Sequence, residues 1–279
     1  MEALKPLEVG VMFWAGRDPA ETIDELKSLG VRCGQMGVPG DMNLQGAGAA
    51  WKKALEAGGF TVVTVFAAFE GEDYADAPTV QRTVGFIPKA TRAAREKRML
   101  AVSDFAAETG VASIATHIGF VPEDDRDEDY FAVREVVRRV CDHAARRSQT
   151  FALETGQETA EALRHFFIDV NRDNLRVNFD PANMIMYGTG DPFDALHVLQ
   201  QHVVTVHCKD GEWPPKGVKG ALGTERPLGQ GSVGIERFVQ KLRGIGYTGP
   251  LTIEREAQDP QERLRDIRMA VGLLEKLRG

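Results

Sequence analysis

Short apolar segments typical of buried strands alternate with helix-like segments along the whole chain. The strand-like segments cover 7–13, 33–38, 60–68, 112–119, 150–155, 175–180, 203–208 and 249–254. The helix-like segments cover 18–30, 50–59, 79–110, 128–147, 158–170, 192–201, 234–246 and 260–278. Strands that alternate with helices form a parallel sheet with crossover helices. Eight such pairs close a sheet into a barrel, so the sequence predicts an α/β fold, a (β/α)8 TIM barrel.

One domain accounts for the full length of the chain. Barrels of this kind routinely hold about 200 to 250 residues or more in a single domain. The chain has 279 residues and no low-complexity segment or Pro-rich linker that would divide it. A doubly wound open sheet is the alternative, but no GxGxxG turn follows the first strand. We therefore predict a single barrel domain over residues 1–279.

One segment interrupts the regular alternation. Residues 211–232, GEWPPKGVKGALGTERPLGQGS, are rich in Gly and Pro and have no helical period. A loop of this length without secondary structure is usually functional or disordered. The sequence predicts a structureless loop after the seventh strand and leaves its role open.

Charge and cysteine content exclude several classes of function. The net charge of −7 disfavours binding to nucleic acids and anionic membranes, because phosphate groups attract basic surfaces. The three cysteines, Cys33, Cys141 and Cys208, are too far apart for a CxxC motif. The N-terminus lacks the pattern of a signal peptide, and no apolar run approaches the roughly 18 residues of a membrane span. We predict a cytoplasmic protein without a nucleic-acid or membrane partner.

Four strand-like segments end in side chains that bind metals. Glu154, Asp180, His207 and Glu254 end the fifth, sixth, seventh and eighth segments. Intervals of 26 and 27 residues separate the first three, about one strand–helix unit each, and the long loop extends the third interval to 47. The four side chains therefore occupy equivalent positions in four successive units.

In a parallel barrel these positions meet at the C-terminal face of the strands. Three carboxylates so close together repel one another unless a cation lies among them. Each residue alone could be a helix cap, a surface ion pair or a core histidine. A purely structural explanation would, however, be needed separately for all four residues, at equivalent positions of adjacent strands. The oxygen-rich set suits Mn²⁺ or Mg²⁺ best, with Co²⁺ or Zn²⁺ as alternatives. We predict a divalent metal site, with Mn²⁺ as the first choice.

Five short motifs carry a family resemblance. They are ALETG (152–156), NFDPAN (178–183), HCKD (207–210), LGQG (228–231) and TIERE (252–256). In order and spacing the chain resembles the xylose isomerase-like barrel superfamily, in its sugar phosphate isomerase/epimerase group. That group includes D-tagatose 3-epimerase, hydroxypyruvate isomerase, inosose dehydratase and endonuclease IV. The resemblance covers most of the chain and is strongest from residue 112 onward.

The resemblance implies roles for the four strand-end residues. All four would be metal ligands, and Glu154 and Glu254 would also move protons. A divalent cation that chelates a carbonyl and its neighbouring hydroxyl acidifies the hydrogen on the carbon between them. One carboxylate removes that proton to give an enediolate, and the other returns it on the opposite face. The expected substrate is a sugar, keto-sugar or polyol, and relatives are often dimers or tetramers, so a homo-oligomer stays open.

Further residues are candidates for substrate contact. His117 ends the fourth strand, where it either faces the barrel mouth or packs in the core. Lys209 lies on the same side of its strand as His207, by alternation along the strand. Trp14 ends the first strand and could stack on a sugar face. Gly229 and Gly231 would let the loop backbone approach a ligand, or simply form a turn.

Two departures from the epimerases keep the reaction open. Asn183 stands where the epimerases and endonuclease IV have a histidine, and it remains a substrate-contact candidate. Glu158 does not have the spacing of the further substrate-binding glutamate of the epimerases. A lyase is therefore the alternative, either like inosose dehydratase or cleaving a C-glycoside. A phosphodiesterase like endonuclease IV would need more histidines than the six present, and a sugar-binding barrel without catalysis is the remaining class.

Overall fold

Every strand-like segment of the sequence forms a strand in the computed structural model, which describes residues 5–279. The ten strands are β1 (Val9–Trp14), β2 (Cys33–Val38), β3 (Thr61–Ala67), β4 (Ser113–Thr116), β5 (Thr150–Glu154), β6 (Leu175–Phe179), β7 (Val203–Cys208), β8 (Asp210–Glu212), β9 (Thr224–Arg226) and β10 (Leu251–Ile253). Eight of them form a closed barrel in the order β1-β10-β7-β6-β5-β4-β3-β2. The predicted barrel is confirmed.

Helices surround the barrel. They are α1 (Pro19–Ser28), α2 (Ala47–Gly58), α3 (Ala77–Thr83), α4 (Arg92–Thr109), α5 (Glu128–Ala145), α6 (Ala160–Val170), α7 (Pro181–Tyr187), α8 (Pro192–Leu199), α9 (Ile235–Gly244) and α10 (Pro260–Leu277). Asp18 caps α1 by accepting hydrogen bonds from the backbone of Ala20 and Glu21, as an N-cap carboxylate should. Within residues 5–279, each helix is too short or too polar to span a membrane.

The barrel closes where β1 pairs with β10, with Val9 opposite Leu251 and Val11 opposite Ile253. Beside this seam, the backbone N–H of Leu7 donates to the carbonyl of Arg278 at 3.1 Å. The outward side chains of the strands, such as Phe13, pack with the helices into one apolar layer. That layer provides most of the apolar core. Burial of apolar surface is the main stabilising term in folding, so the layer also accounts for much of the stability.

The interior of the barrel is unusually polar. Barrels of this class are commonly filled by branched apolar residues such as Val, Ile and Leu. Here the buried side chains of Gln35, Thr64, Asn178, Thr205 and Thr252 lie on strands of the barrel. Hydrogen bonds join Gln35, Asn178 and Thr205, whereas the hydroxyls of Thr64 and Thr252 have no partner among residues 5–279.

The predicted helix over 79–110 is wrong as a single element. Two helices, α3 and α4, occupy this region, and a turn containing Gly85 separates them. Gly85 has a φ of 68°, and a Cβ there would lie 2.0 Å from the backbone carbon of Ile118. Only glycine tolerates this combination of conformation and close approach. The short helix α7, directly after β6, was not predicted.

The prediction of a structureless loop over 211–232 is wrong in part. Strands β8 and β9 pair antiparallel across this segment. The buried carboxylate of Asp210 accepts four backbone hydrogen bonds, at 2.9–3.0 Å, from Gly211, Gly229, Gly231 and Val233. Two of these donors are the glycines considered for ligand approach, so they serve the fold. Asp210 therefore holds both ends of the segment together.

Candidate metal centre

The four strand-end residues meet at one point of the barrel mouth. Glu154 is the last residue of β5, His207 lies in β7, and Asp180 and Glu254 directly follow β6 and β10. One ligand atom from each lies within 4.8 Å of the others. Asp180 and His207 are 0% exposed. The register of a parallel barrel thus brings together side chains that lie 100 residues apart in sequence.

Three carboxylates surround Nδ1 of His207. This nitrogen lies 2.7 Å from Oε1 of Glu154, 3.2 Å from Oε2 of Glu254 and 3.6 Å from Oδ2 of Asp180. Burial would lower the pKa of His207, but Glu254 and Glu154 hold it well above its usual value. The surrounding carboxylates therefore favour the doubly protonated, imidazolium form of His207.

Asp180 has one oxygen without a hydrogen-bond partner. Its Oδ1 accepts a hydrogen bond from the backbone N–H of Asn183 at 2.9 Å, which also caps α7. Its Oδ2 is buried and has no hydrogen-bond partner among residues 5–279. A buried polar atom left unpaired is costly, and burial raises the pKa of Asp180 to about 6. A divalent cation would satisfy this oxygen, so the residues present fit a metal of the hard, oxygen-preferring kind.

Glu154 is held from two sides. Its Oε2 lies 2.8 Å from Nε2 of His117, and its Oε1 accepts from Nδ2 of Asn183 at 3.3 Å. Burial would raise the pKa of Glu154, but His117 and His207 lower it to about 2. His117 also meets Gln157, whose Nε2 lies 3.1 Å from Nδ1 of the ring. His117 and Asn183, both considered for substrate contact, therefore lie beside a candidate ligand.

Glu254 has a different cation beside it. Nζ of Lys209 lies 3.0 Å from Oε2 of Glu254 and 3.1 Å from Oε2 of Glu256. Although burial would raise it, the pKa of Glu254 is held well below its usual value by His207 and Lys209. Lys209 thus lies on the same side of the chain as His207, as the alternation predicted, and its ammonium group is shared by two carboxylates.

Trp14 lies at the end of β1 and is 51% exposed. Its ring covers Gly37 of β2, where a Cβ would lie 2.6 Å from the ring carbon Cε3. An exposed aromatic face at the barrel mouth is available for stacking. Glu158, by contrast, accepts the backbone N–H of Val121 at 3.0 Å, and burial raises its pKa to about 7. Its carboxylate therefore supports the loop after β4.

Two residues beside His207 were missed by sequence reasoning. Oε1 of Gln35 and Nδ2 of Asn178 each lie 3.2 Å from Nε2 of His207. Both amides are fully buried. The signal was present in the segment CGQMGV, where an amide takes an inward position of an otherwise apolar strand.

The molecule is a closed (β/α)8 barrel with three carboxylates and one histidine at its mouth, in an arrangement that could hold a metal ion. The chain belongs to the xylose isomerase-like TIM barrel family, whose model matches residues 23–277. A comparison with curated proteins found no match.

Solved structures agree with this assignment. The chain is 41% identical to a xylose isomerase domain protein from Planctomyces limnophilus, with a TM-score of 0.90 over 98% of both chains. It is 17% identical to 3-keto-D-glucoside 4-epimerase from E. coli, with a TM-score of 0.70 over 97% of this chain and 99% of that one. It is 15% identical to a xylose isomerase-like barrel protein from Mycobacterium smegmatis in complex with magnesium, with a TM-score of 0.71 over 97% and 96%. Neighbours of this fold include both sugar epimerases and a probable dehydratase.

Proposed function

We propose that the protein is a divalent-metal-dependent isomerase or epimerase that acts on a sugar, keto-sugar or polyol through an enediolate. The observation that carries the proposal is the four-residue cluster with the unpaired Oδ2 of Asp180. Glu154, Asp180, His207 and Glu254 would hold the metal, with Mn²⁺ first and Mg²⁺, Co²⁺ or Zn²⁺ as alternatives. When bound, the cation would polarise the substrate carbonyl and acidify the neighbouring C–H bond.

Glu154 and Glu254 are the proposed pair of proton carriers. They come from the ends of different strands and lie 2.7 and 3.2 Å from Nδ1 of His207. Each has its own cationic neighbour, His117 for Glu154 and Lys209 for Glu254. These neighbours favour the ionised carboxylate, which is the form that accepts a proton from carbon. One carboxylate removes the proton, and the other returns it to the opposite face.

Four further residues would bind the substrate. His117, Lys209 and Asn183 present hydrogen-bonding groups next to the carboxylates, where sugar hydroxyls would lie. Trp14 offers an exposed ring at the rim. A sugar substrate is consistent with the neighbour that acts as a 3-keto-D-glucoside 4-epimerase.

A lyase is the second candidate. Removal of the same proton, followed by its transfer to a departing hydroxyl, lost as water, or to a departing C-linked group on the adjacent carbon, would use the same metal site and the same base. Two observations favour it: Asn183 replaces the histidine of the epimerases, and Glu158 is committed to the backbone of Val121. The probable dehydratase among the structural neighbours supports the same reading.

The first experiment is metal analysis of the untagged protein by mass spectrometry, beside Asp180→Ala and Glu254→Gln. We expect near-stoichiometric divalent metal in the wild type and a sharp reduction in Asp180→Ala. The loaded protein is then assayed with ketoses, inososes and 3-keto-glycosides. Failure to bind any divalent metal after reconstitution would reject the site and, with it, the proposed chemistry.

A further inference from the structure

Nε2 of His207 lies between two amides that offer it opposite hydrogen-bond partners. Oε1 of Gln35, an acceptor, lies 3.2 Å away, and Nδ2 of Asn178, a donor, also lies 3.2 Å away. An imidazole nitrogen donates when it carries a proton and accepts when it does not. Nε2 therefore has a partner in either state.

A network inside the barrel fixes the orientation of the two amides. Nε2 of Gln35 donates to Oδ1 of Asn178 at 3.1 Å and to the carbonyl of Val206 at 3.4 Å. The hydroxyl of Thr205 donates to the same Oδ1 of Asn178 at 2.6 Å. Turning Asn178 over would place its NH₂ group against that of Gln35, and turning Gln35 over would place its oxygen against the oxygens of Asn178 and Val206. Gln35 must therefore present its oxygen and Asn178 its nitrogen to His207.

We infer that Gln35 is a positioning residue that holds a proton on Nε2 of His207 and so leaves Nδ1 as the nitrogen that binds a metal. A metal at Nδ1 needs the lone pair of that nitrogen, so the ring proton must lie on Nε2. Gln35 accepts that proton through Oε1. Without the metal, the imidazolium donates from Nδ1–H to Oε1 of Glu154 at 2.7 Å and from Nε2–H to Oε1 of Gln35 at 3.2 Å, so metal binding needs to remove only the proton on Nδ1.

This inference rests on the proposed function, because it assumes that His207 binds the metal. It adds that the affinity of the centre is set partly by a residue of β2, which supplies none of the four candidate ligands. Partners that fix the ring of a metal-binding histidine typically contribute about 10- to 100-fold in metal affinity. We expect loss of the Gln35 acceptor to lower the metal affinity by the same factor.

Calorimetric titration of metal-free protein with MnCl₂ tests the inference. Gln35→Met keeps an unbranched side chain and removes the acceptor, and we expect its affinity for Mn²⁺ to fall by about 10- to 100-fold. Gln35→Glu restores an acceptor oxygen and should bind Mn²⁺ more tightly than Gln35→Met. Thr64→Val is the matched control: Thr64 is paired with Gln35 across β2 and β3, is buried, and its hydroxyl has no partner among residues 5–279. It should bind Mn²⁺ as the wild type does.

The tautomer itself is read by NMR of ¹⁵N-histidine-labelled wild type loaded with Zn²⁺, a measurement that needs no variant to fold. We expect the proton of the His207 ring on Nε2, with Nδ1 unprotonated. A ring that keeps its proton on Nδ1 would overturn the inference, as would a Gln35→Met variant that binds Mn²⁺ like the wild type. If the wild type itself binds neither metal, the proposed function fails, which is distinct from loss in Gln35→Met alone.

Discussion

Asp180 and Asp210 are buried aspartates 30 residues apart in sequence, and their surroundings are opposite. Asp210 uses both oxygens, each accepting two backbone N–H groups. Asp180 has a single N–H donor on Oδ1, and within the described chain its Oδ2 has no hydrogen-bond partner and lies 3.6 Å from Nδ1 of His207. A buried carboxylate with all its oxygens satisfied stabilises the fold. A buried carboxylate that lies among other carboxylates and has an oxygen without a hydrogen bond is instead suited to bind a cation.

The largest expected effect is a difference in metal binding between variants of these two residues. Asp180→Asn keeps the oxygen that caps α7 and replaces the unpaired oxygen by an NH₂ group, which cannot coordinate a cation. We expect Mn²⁺ binding to fall below the detection range of calorimetry, with little loss of thermal stability in the metal-free protein. Asp210→Ala should still bind Mn²⁺. Tight binding by Asp180→Asn would remove the distinction between the two carboxylates.

The second effect is on stability and should appear at Asp210. Asp210→Ala leaves four backbone N–H groups without their acceptor, and hydrogen bonds to charged groups contribute about 1.5–3 kcal/mol each. Because water can replace part of this loss at a loop, we expect the free energy of unfolding to fall by about 3 kcal/mol. Urea unfolding of the metal-free protein measures it. An unchanged unfolding midpoint would show that the backbone donors do not depend on Asp210.

The third effect is a pH dependence confined to the incomplete carboxylate site. Without metal, burial raises the pKa of Asp180 to about 6, and Glu254 and Glu154 overcome burial to hold the pKa of His207 well above its usual value. Metal binding must displace these protons, so affinity falls as the pH falls. We expect a fall of about tenfold per pH unit around pH 7, from His207, and a steeper fall below about pH 6 as Asp180 also takes a proton.

Calorimetry in two buffers of different ionisation enthalpy counts the protons released in this reaction. Release of about one proton per metal at pH 7 is expected. An Mn²⁺ affinity that does not change between pH 6 and pH 7.5 would contradict the proposed state of His207.

The smallest effect is at the rim. Trp14→Ala should raise the KM for the substrate found in the screen by about fivefold, the equivalent of about 1 kcal/mol of aromatic contact, and leave kcat and metal affinity unchanged. Phe131→Ala is the control, since Phe131 is 43% exposed but lies on the outer helix α5. Equal changes in KM for both variants would show that Trp14 has no particular contact with the substrate.

The barrel and the position of the four candidate ligands followed from local signals. Apolar segments and their spacing specify strands, and the parallel register then places Glu154 and Asp180 at one end of the barrel. Gln35 and Asn178 could not be paired in this way, because they lie 143 residues apart and meet only inside the closed barrel. The sequence did not predict the paired strands within 211–232 for a similar reason. Their anchor, Asp210, acts through backbone donors up to 23 residues away.

The seam between β1 and β10 also sets an order of events during synthesis. Glu154 is made 100 residues before Glu254, and Glu254 follows the strand that completes the ring against β1. At ribosomal rates of roughly 5–20 residues per second, about 5 to 20 seconds separate the two. Asp180 and His207 are added within that interval, so the set of four is complete only when Glu254 has been made. Binding of a cation by all four side chains would therefore follow synthesis of the strand that closes the barrel.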